Sequence, residues 1–227
     1  MLRSLIILVS IAAPSLGAEV LYHNNQKGYL AKPKGEGPFP VVIFNHGGMG
    51  PIVGGAPEDT AKALAEAGFV GFSPIRRQAP PLQGHAEDLI AAIQYVKRLD
   101  YVDQERIGLI GFSRGGLLTY MAATQREDLD VVVIMAPADG GGALERFLRQ
   151  ADQVTAPALI LVAENDTRQA NHVAISRQVE SALSRKDKEV TLKVYPAFHN
   201  DGHHLFFEVR DSYWRDVEAF LKKHLNQ

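Results

Sequence analysis

The sequence predicts an α/β architecture: a mostly parallel central sheet with helices on both faces. Three observations predict it. The strand-like runs "VVIFN" (41–45), "FVGFSP" (69–74), "RIGLIGF" (106–112), "VVVIM" (131–135) and "ALILVA" (158–163) are apolar along nearly their whole length. That is the pattern of strands buried on both faces, not of half-solvated ones. Amphipathic helical segments separate these runs, as parallel strands with crossover helices require. No linker long enough to divide two domains interrupts the alternation, and 227 residues suffice for one sizeable core.

The elements follow in order. "MLRSLIILVSIAAPSLGAEV" carries Arg3, an apolar run from Leu5 to Ala13, and small residues at Ser15, Gly17 and Ala18. This is the layout of a signal peptide, with residues 1–18 as leader and 19–227 as the folded domain; export to a periplasm or to the medium is the expectation. "EVLYHNNQKGYLAKP" reads as a hairpin turning at Asn24-Asn25 and ended by Pro33. "PEDTAKALAEAGF" has Pro57, Glu58 and Asp59 at a helix start and Gly68 at its end. "HAEDLIAAIQYVKRL" puts Leu89, Ile93 and Val96 on one helical face. "RGGLLTYMAAT", the short "GALERFLRQ" and "ANHVAISRQVESALSR" are the next helices. "VTLKVY" is the last strand, and "LFFEVRDSYWRDVEAFLKKHL" (205–225) the last long helix. Trp214, beside Phe206, Phe207 and Phe220, reads as core.

Composition excludes several functions. The net charge of -2, without a basic block, provides no footprint for nucleic acid. The absence of cysteine removes disulfides, thiol nucleophiles and thiolate metal sites. A covalent nucleophile must come from another residue type.

In open α/β sheets, chemistry lies beyond the carboxyl ends of the strands. There, "GFSRG" (111–115) places Ser113 between a strand and a helix. Gly111 and Gly115 let strand and helix approach closely, and the turn lifts the hydroxyl above the sheet at a helix N-terminus. A serine needs a base, oriented in turn by an acid. This pattern puts the acid and then the histidine later in the chain. After "ALILVA" come Glu164 and Asp166; after "VTLKVYP" comes "AFHNDGHHLF". Asp166 is the first choice of acid because it lies further into the loop; Glu164 and Asp139 are alternatives. His203 is favoured as base because Gly202 frees the backbone to turn. His199 is the alternative base, and His204 a candidate for packing or capping the last helix. Metal ligation by His199, Asp201 and His203 is a lesser reading; the expectation is no metal and no cofactor. An oxyanion hole needs a second backbone N–H from the loop "NHGGMGP" (45–51). Gly48, or alternatively Met49, supplies it together with Arg114. His46 is expected to bridge loops by hydrogen bonds.

The stretches "FNHGGMG", "GHAEDLIAAIQYVKRLDYVDQERIGLIGFSRGG", "APALILVAENDT" and "VYPAFHNDGHHLF" together resemble the dienelactone hydrolase-like type of α/β-hydrolase, from about Val41 to the end. The segment around Ser113 is also similar to acylaminoacyl-peptidase-like hydrolases. The resemblance implies an α/β-hydrolase fold and a triad of Ser113, Asp166 and the histidine after Gly202, which is His203. One departure matters: the founding dienelactone hydrolases use a cysteine nucleophile, and this chain has none, so their substrate does not carry over. The expectation is therefore a serine hydrolase of small carboxylic esters. A small-peptide peptidase and a non-catalytic binding protein on a hydrolase scaffold are the alternatives. Arg76 and Arg77, in the loop after "FVGFSP", are read with equal weight as binders of a substrate carboxylate or as fold-bracing residues. The short "GGGALERFLRQ" leaves room only for a minimal lid.

Overall fold

The computed structural model describes residues 17–48 and 53–226. The leader up to Leu16, and Met49, lie outside the described residues. Strands β1 (Ala18–Leu21) and β2 (Lys27–Ala31) form the hairpin. It turns through Asn24 and Asn25, both with positive φ, as a tight hairpin turn of matching twist demands. The chain then alternates: β3 (Phe39–Asn45), α1 (Pro57–Ala67), β4 (Val70–Pro74), α2 (His85–Val96), β5 (Val102–Phe112), α3 (Arg114–Ala123), β6 (Val131–Met135), α4 (Ala143–Leu148), β7 (Ala158–Ala163), α5 (His172–Ser184), β8 (Val190–Tyr195) and α6 (Asp211–Leu225). The eight strands make one sheet in the order β1-β2-β4-β3-β5-β6-β7-β8. Strands β3 to β8 pair in parallel, and the hairpin adds an antiparallel edge through β2 and β4.

Side chains alternate across the parallel strands and feed two cores. Val41, Ile43, Val132 and Ile134 join Leu89 and Ile93 of α2, Leu117 and Tyr120 of α3 and Val179 of α5 on one face. Val42, Phe44, Val131 and Val133 join Leu64 of α1 and Trp214, Val217 and Leu221 of α6 on the other. Leu144 and Phe147 bury one side of α4 in the first core. β4 and β5 flank β3 on opposite sides. The direction of winding therefore reverses between β3 and β5, the place where open sheets leave a crevice at their carboxyl ends.

Two elements differ from the sequence reading. The strand read from Arg106 begins at Val102, because the Phe39 end of β3 offers a partner across an irregularity in register. The last helix begins at Asp211. Gly202–Phe207 forms a separate 3-10 turn, capped by the Asp201 side chain, which accepts the His203 backbone N–H at 3.0 Å. Phe207 is thereby left exposed, while Phe206 and Trp214 are buried.

Candidate active site

Ser113 occupies the N-cap of α3 with φ 54° and ψ -116°. Such backbone is disfavoured for a side-chain-bearing residue and persists only where its surroundings over-determine it. Three backbone hydrogen bonds do so here. The Ser113 N–H donates to Met135 at 2.9 Å, and its carbonyl accepts from Leu117 and Ala138 at 3.1 and 3.0 Å. The glycines on either side are there for closeness of approach. A Cβ on Gly111 would collide with the Gly115 carbonyl, and a Cβ on Gly115 with that of Asn45. The turn thus draws β5, α3 and the end of β3 together. Asn45 seals the contact by donating from Nδ2 to Thr119 Oγ1 at 2.9 Å.

The loop after β3 lies against the serine. A Cβ on Gly47 would come within 3.1 Å of Ser113 Cβ. His46 and Arg76, both buried, hold this loop. The Arg76 backbone N–H donates to His46 Nε2 at 3.2 Å, so that nitrogen carries no proton. Nδ1–H is then the donor to the Gly47 carbonyl at 2.6 Å. Arg76 Nη1 donates to the His46 carbonyl at 2.6 Å, and Gly54 N–H to the Gly47 carbonyl at 3.1 Å. A trans peptide points its C=O and its N–H in opposite directions. Anchoring the Gly47 carbonyl therefore fixes the direction of the Gly48 N–H on the other side of the loop. Gly48 itself has φ 92°, which favours glycine. Arg114 follows the serine as the first residue of α3, where backbone N–H groups have no intrahelical acceptor.

Burial, with Arg76 next in importance, pushes the His46 imidazole down to about 3. The folded protein keeps this ring neutral, whereas the unfolded chain takes up a proton below its ordinary value of about 6.5. Stability is thus intact above that value and is lost as pH falls from about 6.5 toward 3, by about 1.4 kcal/mol per pH unit from this residue. His85 and His172 are lowered in the same direction, and the first cause at both is removal from water. Urea denaturation at pH 7 and pH 4.5 checks this: His46→Asn should flatten the fall in unfolding free energy by about 2.5 kcal/mol over that interval.

The structure brings two of the predicted residues into direct contact. Asp166, in the loop three residues past β7, and His203, in the 3-10 turn, are 1% and 3% exposed. His203 Nδ1 lies 2.9 Å from Asp166 Oδ2. Since a carboxylate only accepts, Nδ1–H is the donor and Nε2 keeps its lone pair. The Phe112 ring packs on His203 with centroids 4.7 Å apart, which ties the histidine to the residue preceding Ser113. Gly202 allows the approach, for a Cβ there would meet the Asp166 nitrogen at 2.7 Å.

Other candidates lie elsewhere. His199 is exposed, and its carbonyl accepts from Asn165 Nδ2 at 3.1 Å; its ring packs on Phe198. His204 is exposed and meets Phe207 edge-on. Glu164 is exposed and accepts from the Ala197 N–H. Asp139 accepts from the Gly142 N–H within its own turn. Both arginines of the loop after β4 are engaged by the protein. Arg77 grips the buried Asp88 of α2 with Nε at 2.8 Å and Nη2 at 2.6 Å, and Arg76 braces the loop after β3. Arg76 is buried on the carbonyl of His46 and Arg77 is paired with Asp88, so both brace the fold.

Two features escaped the sequence reading. The Arg114 side chain makes no hydrogen bond or ion pair with the described residues and stands close enough to Arg76, His46 and His85 to lower their proton affinity. His172, the first residue of α5, is buried against His203 with ring centroids 4.5 Å apart and planes 30° apart. Its only local signal was its position six residues after Asp166, which does not reveal that a loop folds it back under the acid. Among the described residues, Asp166, His172 and His203 are the cluster whose ligand atoms lie within 4.8 Å of one another. His199 is not part of it.

Comparison with known proteins agrees with this architecture. The chain is 28% identical over 218 residues to a Synechocystis protein named "Putative carboxymethylenebutenolidase", covering 85% of this chain and 86% of that one. Est1E from Butyrivibrio proteoclasticus superposes with a TM-score of 0.70 at 20% identity, covering 94% of this chain and 100% of that one. The acylaminoacyl peptidase of Pyrococcus horikoshii gives a TM-score of 0.72 at 18% identity, covering 93% of this chain but 42% of the peptidase. The fold is that of the α/β-hydrolases. The family model of the dienelactone hydrolases matches residues 76–225, a stretch that contains Ser113, Asp166 and His203, and the chain belongs to the dienelactone hydrolase family.

Proposed function

We propose that this member of a hydrolase family cleaves small carboxylic esters with Ser113 as nucleophile, His203 as base and Asp166 as its orienting acid. The observation that carries the reading is the strained Ser113 backbone at the N-terminus of α3, together with the buried Asp166–His203 pair against Phe112. His203 Nε2 takes the Ser113 proton as Oγ attacks the ester carbonyl, and Asp166 stabilises the resulting imidazolium. The N–H groups of Gly48 and Arg114 hold the oxyanion. The alcohol leaves with the proton from His203, and water then releases the acid by the same route. The sequence of steps calls on no cofactor. A fluorophosphonate should label Ser113 in the folded protein; labelling elsewhere, or none, overturns the reading.

The Arg114 side chain favours esters that carry a carboxylate, since it is a guanidinium beside the serine with a second guanidinium, Arg76, close to it. A charge-assisted bond to such a group contributes roughly 1.5 kcal/mol or more. Arg114→Gln should therefore raise KM about tenfold for an ester with a carboxylate and leave a neutral ester of the same length unchanged. The backbone N–H at this position survives the substitution.

The likeness to acylaminoacyl peptidase supports a second reading, hydrolysis of small acyl-peptides. Release of amines from acyl-peptides, with negligible ester turnover, would reverse the order of the two.

A further inference from the structure

One buried oxygen at this site has no part in the proposed hydrolysis. Asp166 Oδ2 serves His203, but Asp166 Oδ1 is buried and has no hydrogen-bond partner among the described residues. The atom facing it is His172 Nε2, 4.0 Å away. His172 Nδ1 lies 3.1 Å from the Pro137 carbonyl. A carbonyl only accepts, so Nδ1 carries the ring proton and Nε2 presents a lone pair. Two buried acceptors thus face each other, an arrangement satisfied by one electropositive species held between them. The charged groups around His172 are Asp166 and Asp201, so the local charge is negative.

We propose that Asp166, His172 and His203 form a binding site for a divalent cation of the zinc class, and that its occupancy switches hydrolysis off. Two imidazole nitrogens and one carboxylate are the donor set that such ions select. The Nδ1–H of His172 on a backbone carbonyl is the outer contact that orients a ligating histidine. The ligand atoms lie within 4.8 Å of one another. Tetrahedral ligands of zinc are separated by ~3.4 Å, so closure needs side-chain shifts of roughly an ångström.

Inhibition follows from the tautomer, and this half of the proposal rests on His203 being the base. Asp166 Oδ1 and His172 Nε2 can bind the ion without a change of protonation. His203 joins through Nδ1 by giving up the proton it donates to Asp166 Oδ2. A neutral imidazole ligated at Nδ1 carries its proton at Nε2, the position that must be bare to receive the Ser113 proton. The ion and a productive His203 are therefore mutually exclusive.

The test is calorimetric titration of metal-free full-length protein with Zn²⁺, comparing wild type, Ser113→Ala and His172→Gln. One zinc per chain is expected in the wild type and in Ser113→Ala, with affinity at least tenfold weaker in His172→Gln. Ester turnover of the wild type should fall as zinc binds and return with EDTA, and His172→Gln should resist zinc relative to its own zinc-free rate. No bound zinc, or equal affinity in His172→Gln, overturns the proposal. Should His172→Gln fail to fold, nitrogen NMR of the wild type decides: zinc must move the His203 ring proton from Nδ1 to Nε2, and an unchanged tautomer overturns the site. Because binding is read as heat in Ser113→Ala, a failure of the esterase reading leaves this test standing.

Discussion

Replacing Ser113 with alanine is expected to lower kcat/KM for short p-nitrophenyl esters by about 10⁴-fold or more, leaving only the turnover that an oxyanion site and substrate binding provide. The substitution should not harm folding. Ser113 spends its backbone groups on Met135, Leu117 and Ala138, and no side-chain cap is lost. Relief of the positive φ is not available to alanine, so the unfolding midpoint should stay near that of the wild type. His203→Ala should cost about as much activity as Ser113→Ala, and the double variant little more, since the two act as one unit. His199→Ala should leave turnover unchanged, because that ring is exposed and packs on Phe198. Steady-state kinetics on purified, folded variants measures all four. Ester turnover that survives Ser113→Ala would remove the serine from the mechanism.

The second large effect is on stability. Gly115→Ala should destabilise the protein by about 3 kcal/mol or more, a fall in Tm on the order of 6–12 °C for a chain of this size. The added methyl would enter the Asn45 carbonyl and stand 2.7 Å from that of His46. Both obstacles are backbone, and both belong to the strand and loop that flank the serine. Neither can yield without separating α3 from β3, so activity should fall with stability. Gly141 is the control. Nothing lies within 4 Å of a Cβ there, and asparagine tolerates its left-handed φ of 68°. Gly141→Asn should shift Tm by a few degrees at most, as scanning calorimetry of the two variants would show.

The contrast between these glycines illustrates what local sequence can convey. Gly115 lies in a strand-turn-helix segment, and its neighbours in the chain announce the tight turn. Gly141 lies in a run of three glycines, which announces a loop and nothing about contact. The hairpin at Asn24-Asn25 and the apolar strands were legible for the same reason: twist, burial on two faces and turn chemistry act between residues near in sequence. The boundary of the last helix was not legible. Leu205 and Phe206 are as apolar as a helix start, yet Asp201 caps a 3-10 turn there and Asp211 opens the helix.

The sequence by itself determined the parallel sheet, the turn that carries Ser113, and the order in which an acid and a histidine follow it at later strand ends. Only the tertiary structure decided which histidine meets Asp166, that Arg76 and Arg77 serve the fold, and that His172 lies beneath the acid. The reason is physical. Periodicity and turn propensity are properties of a few consecutive residues, whereas three histidines within six positions differ only in where a capped turn aims them. That aim is set by Asp166 and Phe112, which are 37 and 91 positions away in the chain.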